Sequence, residues 1–212
     1  MKNILLIGDS IRQGYDKYVK QALEGTAEVF FPSENCRFAQ YVLRNLTEWN
    51  NHYQWPQMDV VHWNAGLWDT IELYEDGTLS TPEHYENMVK RVNKRIRDIF
   101  PEAKIIFATS TPVLEHKYPD PKRWMRWNRD TERFNEIAKK AFAGDDIIIN
   151  DLYELLRDVP ESYYSDMTHL YTPEATKLIG TQVLRHICDA ADIPFRVLED
   201  GYEFRNDNVI GI

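Results

Sequence analysis

Residues 3–10 read Asn-Ile-Leu-Leu-Ile-Gly-Asp-Ser, four aliphatic side chains stopped abruptly by a glycine, an acid and a serine. A short unbroken apolar run of this kind fits a strand buried on both faces, as in a parallel sheet. Gly8 permits a tight change of direction, and Ser10 falls where the strand hands over to a helix. Similar runs recur near 28–31, 59–63, 104–108 and 146–149, so that with 3–7 there are five predicted strands. Stretches of helical period lie between and after them, near 14–24, 38–49, 82–99, 129–142 and 173–191. Two of these open on Thr-Pro-Glu, at Thr81-Pro82-Glu83 and Thr172-Pro173-Glu174, each placing a capping hydroxyl ahead of a proline at the first helical position.

Strand and helix alternate throughout, which predicts an α/β fold: a three-layer α/β/α, flavodoxin-like five-stranded parallel sheet with helices on both faces, joined by right-handed crossovers. In such sheets ligands bind beyond the C-terminal ends of the strands. Residues 1–193 are expected to form this one domain. Residues 194–212 are expected to be an extension carrying a hairpin around Asp200-Gly201.

Composition narrows the function classes. The chain has 212 residues, 43% hydrophobic and 28% charged, the make-up of an ordinary globular protein. Its net charge of −9 disfavours nucleic acid and anionic membranes as partners, although Lys117 to Arg129 form a local basic stretch. The N-terminal apolar run is too short for a secretory signal, so a cytoplasmic location is expected. Cys36 and Cys188 show neither a C-x-x-C nor a Cys/His spacing, which reads as two free thiols. No metal-binding or phosphate-loop motif is present, and no cofactor is expected. His62 and Trp63, inside a predicted strand, read as core.

Two places carry chemistry. Ser10 lies at the sheet edge where an α/β protein keeps its active site, at a helix N-terminus whose own N–H is open to a developing oxyanion. The plainer reading of Gly8-Asp9-Ser10 is a helix cap. The second place is Ser165-Asp166-Met167-Thr168-His169, just ahead of the last helix. The Asp166-x-x-His169 spacing lets the carboxylate accept from one imidazole nitrogen and fix the tautomer whose other nitrogen takes the Ser10 proton. Alone, each would pass as a surface acid and a capping histidine.

Together the two places resemble the SGNH or GDSL hydrolases, over nearly the whole chain. Ile7-Gly8-Asp9-Ser10 is similar to the first family block and Asp166-x-x-His169 to the last. The resemblance implies Ser10 as nucleophile, His169 as general base and acid, and Asp166 as the group that orients it. The family's second block gives an oxyanion-hole glycine, and Cys36 takes that position within Pro32–Phe38. The third block normally reads Gly-x-Asn-Asp. Here Gly66-Leu67-Trp68-Asp69 puts Trp68 in the asparagine slot, so the oxyanion donors implied are the Ser10 and Cys36 N–H groups and the side chain of Asn64, with the Trp68 indole competing.

Asp9, Arg37, Trp68 and Trp124 are candidate substrate contacts. Arg37 either grips a substrate carboxylate or hydroxyl or pairs with an acidic neighbour. The aromatic load, six Trp and twelve Tyr, suits the apolar faces of sugars. The resemblance therefore implies a serine esterase for small-acyl, chiefly acetyl, esters of a carbohydrate. Acyltransferase, lysophospholipase or thioesterase activity and a carbohydrate-binding homologue without catalysis are the alternatives.

Overall fold

The computed structural model describes residues 1–198 and 201–203. Seven strands occur in this span: β1 (Lys2–Ile7), β2 (Ala27–Phe30), β3 (Val60–Trp63), β4 (Glu72–Leu73), β5 (Lys104–Ala108), β6 (Trp124–Met125) and β7 (Ile147–Asn150). Five form one sheet in the order β2-β1-β3-β5-β7, with every pairing parallel. The six α-helices are α1 (Ser10–Ala22), α2 (Ala39–Tyr53), α3 (Pro82–Ile99), α4 (Asn128–Ala141), α5 (Leu152–Leu156) and α6 (Pro173–Ala191).

The period-two alternation of a strand divides the core into two halves. Ile4 and Leu6 of β1 face one cluster with Tyr15 and Val19 of α1, Leu152 of α5 and Ile179 and Val183 of α6. Leu5 and Ile7 face the other, with Val42 of α2, Val89 of α3 and Phe134 of α4. The result is the three-layer α/β/α architecture expected from the sequence. All four aliphatic side chains of Ile4–Ile7 are fully buried, each contributing about 1.5–3 kcal/mol of transfer free energy.

Helix starts follow the expected chemistry: Thr81 and Thr172 accept from the backbone N–H groups of His84 and Ala175 at 3.2 and 3.3 Å. The first helix, however, begins at Ser10 rather than near residue 14, because the Asp9 carboxylate caps it. The helix expected over 38–49 runs on to Tyr53, where Gln54 stops it in a left-handed conformation. The strands β4 and β6, which pair antiparallel in a separate ribbon, and the short α5 were not expected. Two-residue strands offer no periodicity to read. The hairpin expected around Asp200-Gly201 falls largely outside the described residues. Among the described residues, no helix is long and apolar enough to cross a membrane.

His62 is a core histidine, with Nδ1 3.4 Å from the Tyr15 hydroxyl and Nε2 3.1 Å from the Asn150 amide. Burial, with the charge of His186 behind it, pushes its pKa down to about 3. An unfolded histidine titrates near 6.5. Between those values the unfolded chain binds a proton that the folded chain refuses, so this residue's contribution to stability falls as pH is lowered through the window. Asp69 acts in the opposite sense, since burial raises it to about 7 and its penalty grows with pH. A comparison with His62→Gln isolates the histidine. The stability advantage of the wild type over the variant should shrink by about 3 kcal/mol between pH 7 and pH 4. Parallel urea-denaturation profiles for the two proteins would refute this.

Candidate active site

Strand β1 is flanked by β2 on one side and β3 on the other, so the chain's course reverses there and the crevice above its C-terminal end is the topological switch point. Gly8, Asp9 and Ser10 occupy that edge. The side chains of Asn64 and Arg12 press so closely on the turn that a Cβ on Gly8 would sit 1.9 Å from Asn64 Oδ1 and 2.7 Å from Arg12 Cβ. Only glycine fits.

Asp9 is fully buried and caps α1, its Oδ1 accepting from the Ile11 N–H and from Asn64 Nδ2, both at 2.9 Å. Burial raises its pKa, against the lowering effects of Asn64, the Ile11 N–H, Arg126 and His169. A sealed carboxylate does not reach a ligand, so Asp9 organises the turn and is not a substrate contact. Ser10, the first residue of α1, is 7% exposed. As the first helical residue its N–H has no acceptor within the helix.

The second half of the site is a loop between Tyr163 and α6. Its closure is local: the Ser165 N–H and hydroxyl both donate to the His169 carbonyl, at 2.8 and 3.1 Å. Asp166 Oδ1 accepts from the backbone N–H groups of Thr168 and His169 at 2.7 and 2.8 Å, and Oδ2 lies 2.6 Å from His169 Nδ1. Burial pushes the Asp166 carboxyl up, but the bond to His169, the charge of that ring and the two N–H groups outweigh it and hold the pKa below the usual range. An ionised carboxylate only accepts, so Nδ1 carries the proton and Nε2 is the nitrogen able to take another.

Tyr171 joins the two halves. Its ring stacks on His169, with centroids 4.8 Å apart, and its hydroxyl donates to the Ser10 carbonyl at 2.7 Å. Gly14, one turn into α1, leaves room for that ring: a Cβ there would lie 2.8 Å from it. The Gly8–Ser10 turn and the Asp166–His169 loop, far apart in sequence, are thus clamped at one crevice.

No family model matches the chain, and no curated protein matches it at significance. Solved structures do. A lipase/acylhydrolase from Enterococcus faecalis is 17% identical with a TM-score of 0.72, over 93% of this chain and 100% of that one. A GDSL-like lipase from Bacteroides thetaiotaomicron is 14% identical with a TM-score of 0.67, over 89% of each chain. An acetyl xylan esterase from Geobacillus stearothermophilus is 16% identical with a TM-score of 0.66, over 94% and 97%. The chain has the SGNH hydrolase fold.

Within this SGNH fold the surroundings of Ser10 differ from the expectation in several places. The Cys36 N–H donates to the Gly8 carbonyl at 3.1 Å. That donor is committed to tying the 31–38 loop to the Gly8–Ser10 turn and does not face an oxyanion, which corrects its assignment to the hole. Arg12, not singled out from the sequence, completes the same tie. Its guanidinium is 1% exposed, pairs with Asp16 at 2.5 Å and donates to the Glu34 and Gly8 carbonyls at 2.6 and 3.4 Å. Asn64 is fully buried and gives an amide hydrogen to Asp9, so its service as an oxyanion donor rests on the second hydrogen of that amide.

The substrate-contact candidates separate. Trp68 is half-buried, with the Arg126 guanidinium 5.8 Å from its ring centroid. Trp124, in β6, packs edge-on against Tyr118 at 4.9 Å and leans on the α1/α6 core, so much of its surface is used in packing. Arg37 is exposed, in a left-handed conformation with φ 52°, and lies 5.0 Å over the Tyr41 ring. Its charge helps lower the Glu34 pKa, behind the Tyr41 hydrogen bond that dominates that shift, which favours the pairing role left open for it.

Proposed function

We propose that the chain is a serine esterase that removes small acyl groups, acetyl foremost, from a carbohydrate. The observation that carries the reading is the 2.6 Å Asp166–His169 contact held at the Ser10 crevice by Tyr171. Ser10 Oγ attacks the ester carbonyl as His169 Nε2 takes its proton. The tetrahedral intermediate collapses, His169 protonates the departing alcohol, and an acyl group remains on Ser10. Water activated by the same imidazole then releases the acid. Asp166 keeps the ring in the required tautomer and stabilises its protonated form.

Two of the structural neighbours are acetyl xylan esterases, which agrees with an acetylated sugar as substrate. The half-buried Trp68 leaves part of its ring open, a surface that suits the apolar face of a sugar.

The test is hydrolysis of p-nitrophenyl acetate by wild type and Ser10→Ala. Activity in the wild type that vanishes in the variant is expected, with rates falling as the acyl chain is lengthened to butyrate and octanoate. Equal background rates for both proteins would remove the esterase reading.

A further inference from the structure

We propose that Arg126 stabilises the oxyanion formed at Ser10, taking over the work that a side-chain amide at position 68 would do. The inference rests on the esterase reading above and concerns the same site.

The need is set by chemistry. Acyl transfer builds negative charge on the former carbonyl oxygen, and loss of one preorganised donor to it costs roughly 10²- to 10³-fold in rate. Trp68 has no amide to offer, the Cys36 N–H is bound to Gly8, and Asn64 is sealed with a hydrogen on Asp9. Beyond the Ser10 N–H, these elements leave only neutral donors, the second amide hydrogen of Asn64 and the Trp68 indole N–H.

Arg126 comes to the same turn from another part of the chain. Its Nε donates to the Leu67 carbonyl at 2.7 Å, one residue before Trp68, and its guanidinium faces the Trp68 ring. The residue is 6% exposed, yet among the described residues no carboxylate lies within ion-pairing distance of it and its terminal nitrogens have no hydrogen-bond partner. With no carboxylate paired to it, this guanidinium is free to meet an anion through its terminal nitrogens. A guanidinium anchored through Nε still presents four N–H groups in a fixed plane. Its field reaches Ser10's neighbour: Asp9 feels both Arg126 and His169, though burial dominates that carboxyl.

The ribbon explains how this arginine is placed. Met125 pairs with Glu72 and Trp124 with Leu73, and the Tyr74 N–H donates to the Arg123 carbonyl at 3.0 Å. The 123–126 segment is thereby locked to the loop that follows Gly66–Asp69, and Arg126 is delivered beside the turn that lacks the amide.

The experiment measures p-nitrophenyl acetate hydrolysis by wild type, Arg126→Gln, Arg126→Lys and Arg126→Gly, with Ser10→Ala in parallel and thermal melts of each. The neutral ester has no group for a substrate-binding arginine to grip. The expected result is a kcat about 10²-fold lower in Arg126→Gln with KM nearly unchanged. Arg126→Lys should be intermediate, and added guanidinium or ethylguanidinium ion should restore part of the rate of folded Arg126→Gly. Rescue by the free cation is a response that a merely structural arginine would not give. Wild-type kcat in folded Arg126→Gln overturns the inference while leaving the esterase reading intact. So does a loss that appears only in KM for an acidic ester, which would make Arg126 a substrate anchor. A loss of rate in all variants that follows their melting and shows no rescue also overturns it. A wild-type rate no higher than that of Ser10→Ala overturns both.

Discussion

His169→Ala should lower kcat for p-nitrophenyl acetate by roughly 10⁴- to 10⁶-fold, and Asp166→Asn by about 10⁴-fold. The two losses have different origins. Without the imidazole, nothing takes the Ser10 proton as its oxygen attacks, and a neutral hydroxyl is a poor nucleophile at neutral pH. With asparagine at 166 the imidazole remains, but the amide NH2 that takes the place of Oδ2 donates to Nδ1 and no longer holds a proton there. The ring can then turn a protonated Nε2 toward Ser10, the form that cannot act as base. The Thr168 and His169 N–H groups that Asp166 Oδ1 accepts at 2.7 and 2.8 Å can still be met by an amide oxygen, so Asp166→Asn should remain folded. Steady-state kinetics with a thermal melt of each variant checks both statements. Loss of less than tenfold in His169→Ala would mean that another group serves as base.

Arg12→Ala should destabilise the protein by about 3–5 kcal/mol, the range for removing one member of a buried ion pair. The guanidinium is 1% exposed and faces Asp16, itself 4% exposed, so truncation takes the cationic partner from a buried carboxylate. It also withdraws the donors that the Glu34 and Gly8 carbonyls accept, and removes the cation lying 5.5 Å over the Phe31 ring. These contacts fasten α1 and the nucleophile turn to the loop carrying Cys36, so activity should fall as well as stability. Urea denaturation measures the effect; a loss under 1 kcal/mol would show that the tie is dispensable.

The sheet was legible because parallel strands buried on both faces read as unbroken apolar runs. Ile4–Ile7 is the clearest case, and its four fully buried side chains explain why. The Asp166-x-x-His169 pair was legible because its geometry is local: one short loop holds both groups, and the spacing states the hydrogen bond. The surroundings of Ser10 were less legible, since they depend on where backbone donors point. Nothing in the residue type of Cys36 says that its N–H meets the Gly8 carbonyl. Asp9 reads equally well as a ligand or a cap until its burial is known. Arg126 was visible only as part of a basic stretch, because the ribbon that carries it to Leu67 is built from two-residue strands distant in sequence. Trp68 in the asparagine slot was visible in the sequence, but that Arg126 lies beside it was not.

The central claim is that Ser10 is an activated nucleophile. A fluorophosphonate reacts far faster with a serine whose proton is taken by a neighbouring base than with an ordinary hydroxyl. Mass-spectrometric mapping after labelling should find one adduct, on the peptide that contains Ser10, and should lose it in His169→Ala. An unlabelled wild type, or an adduct on another residue that survives Ser10→Ala, would contradict the account.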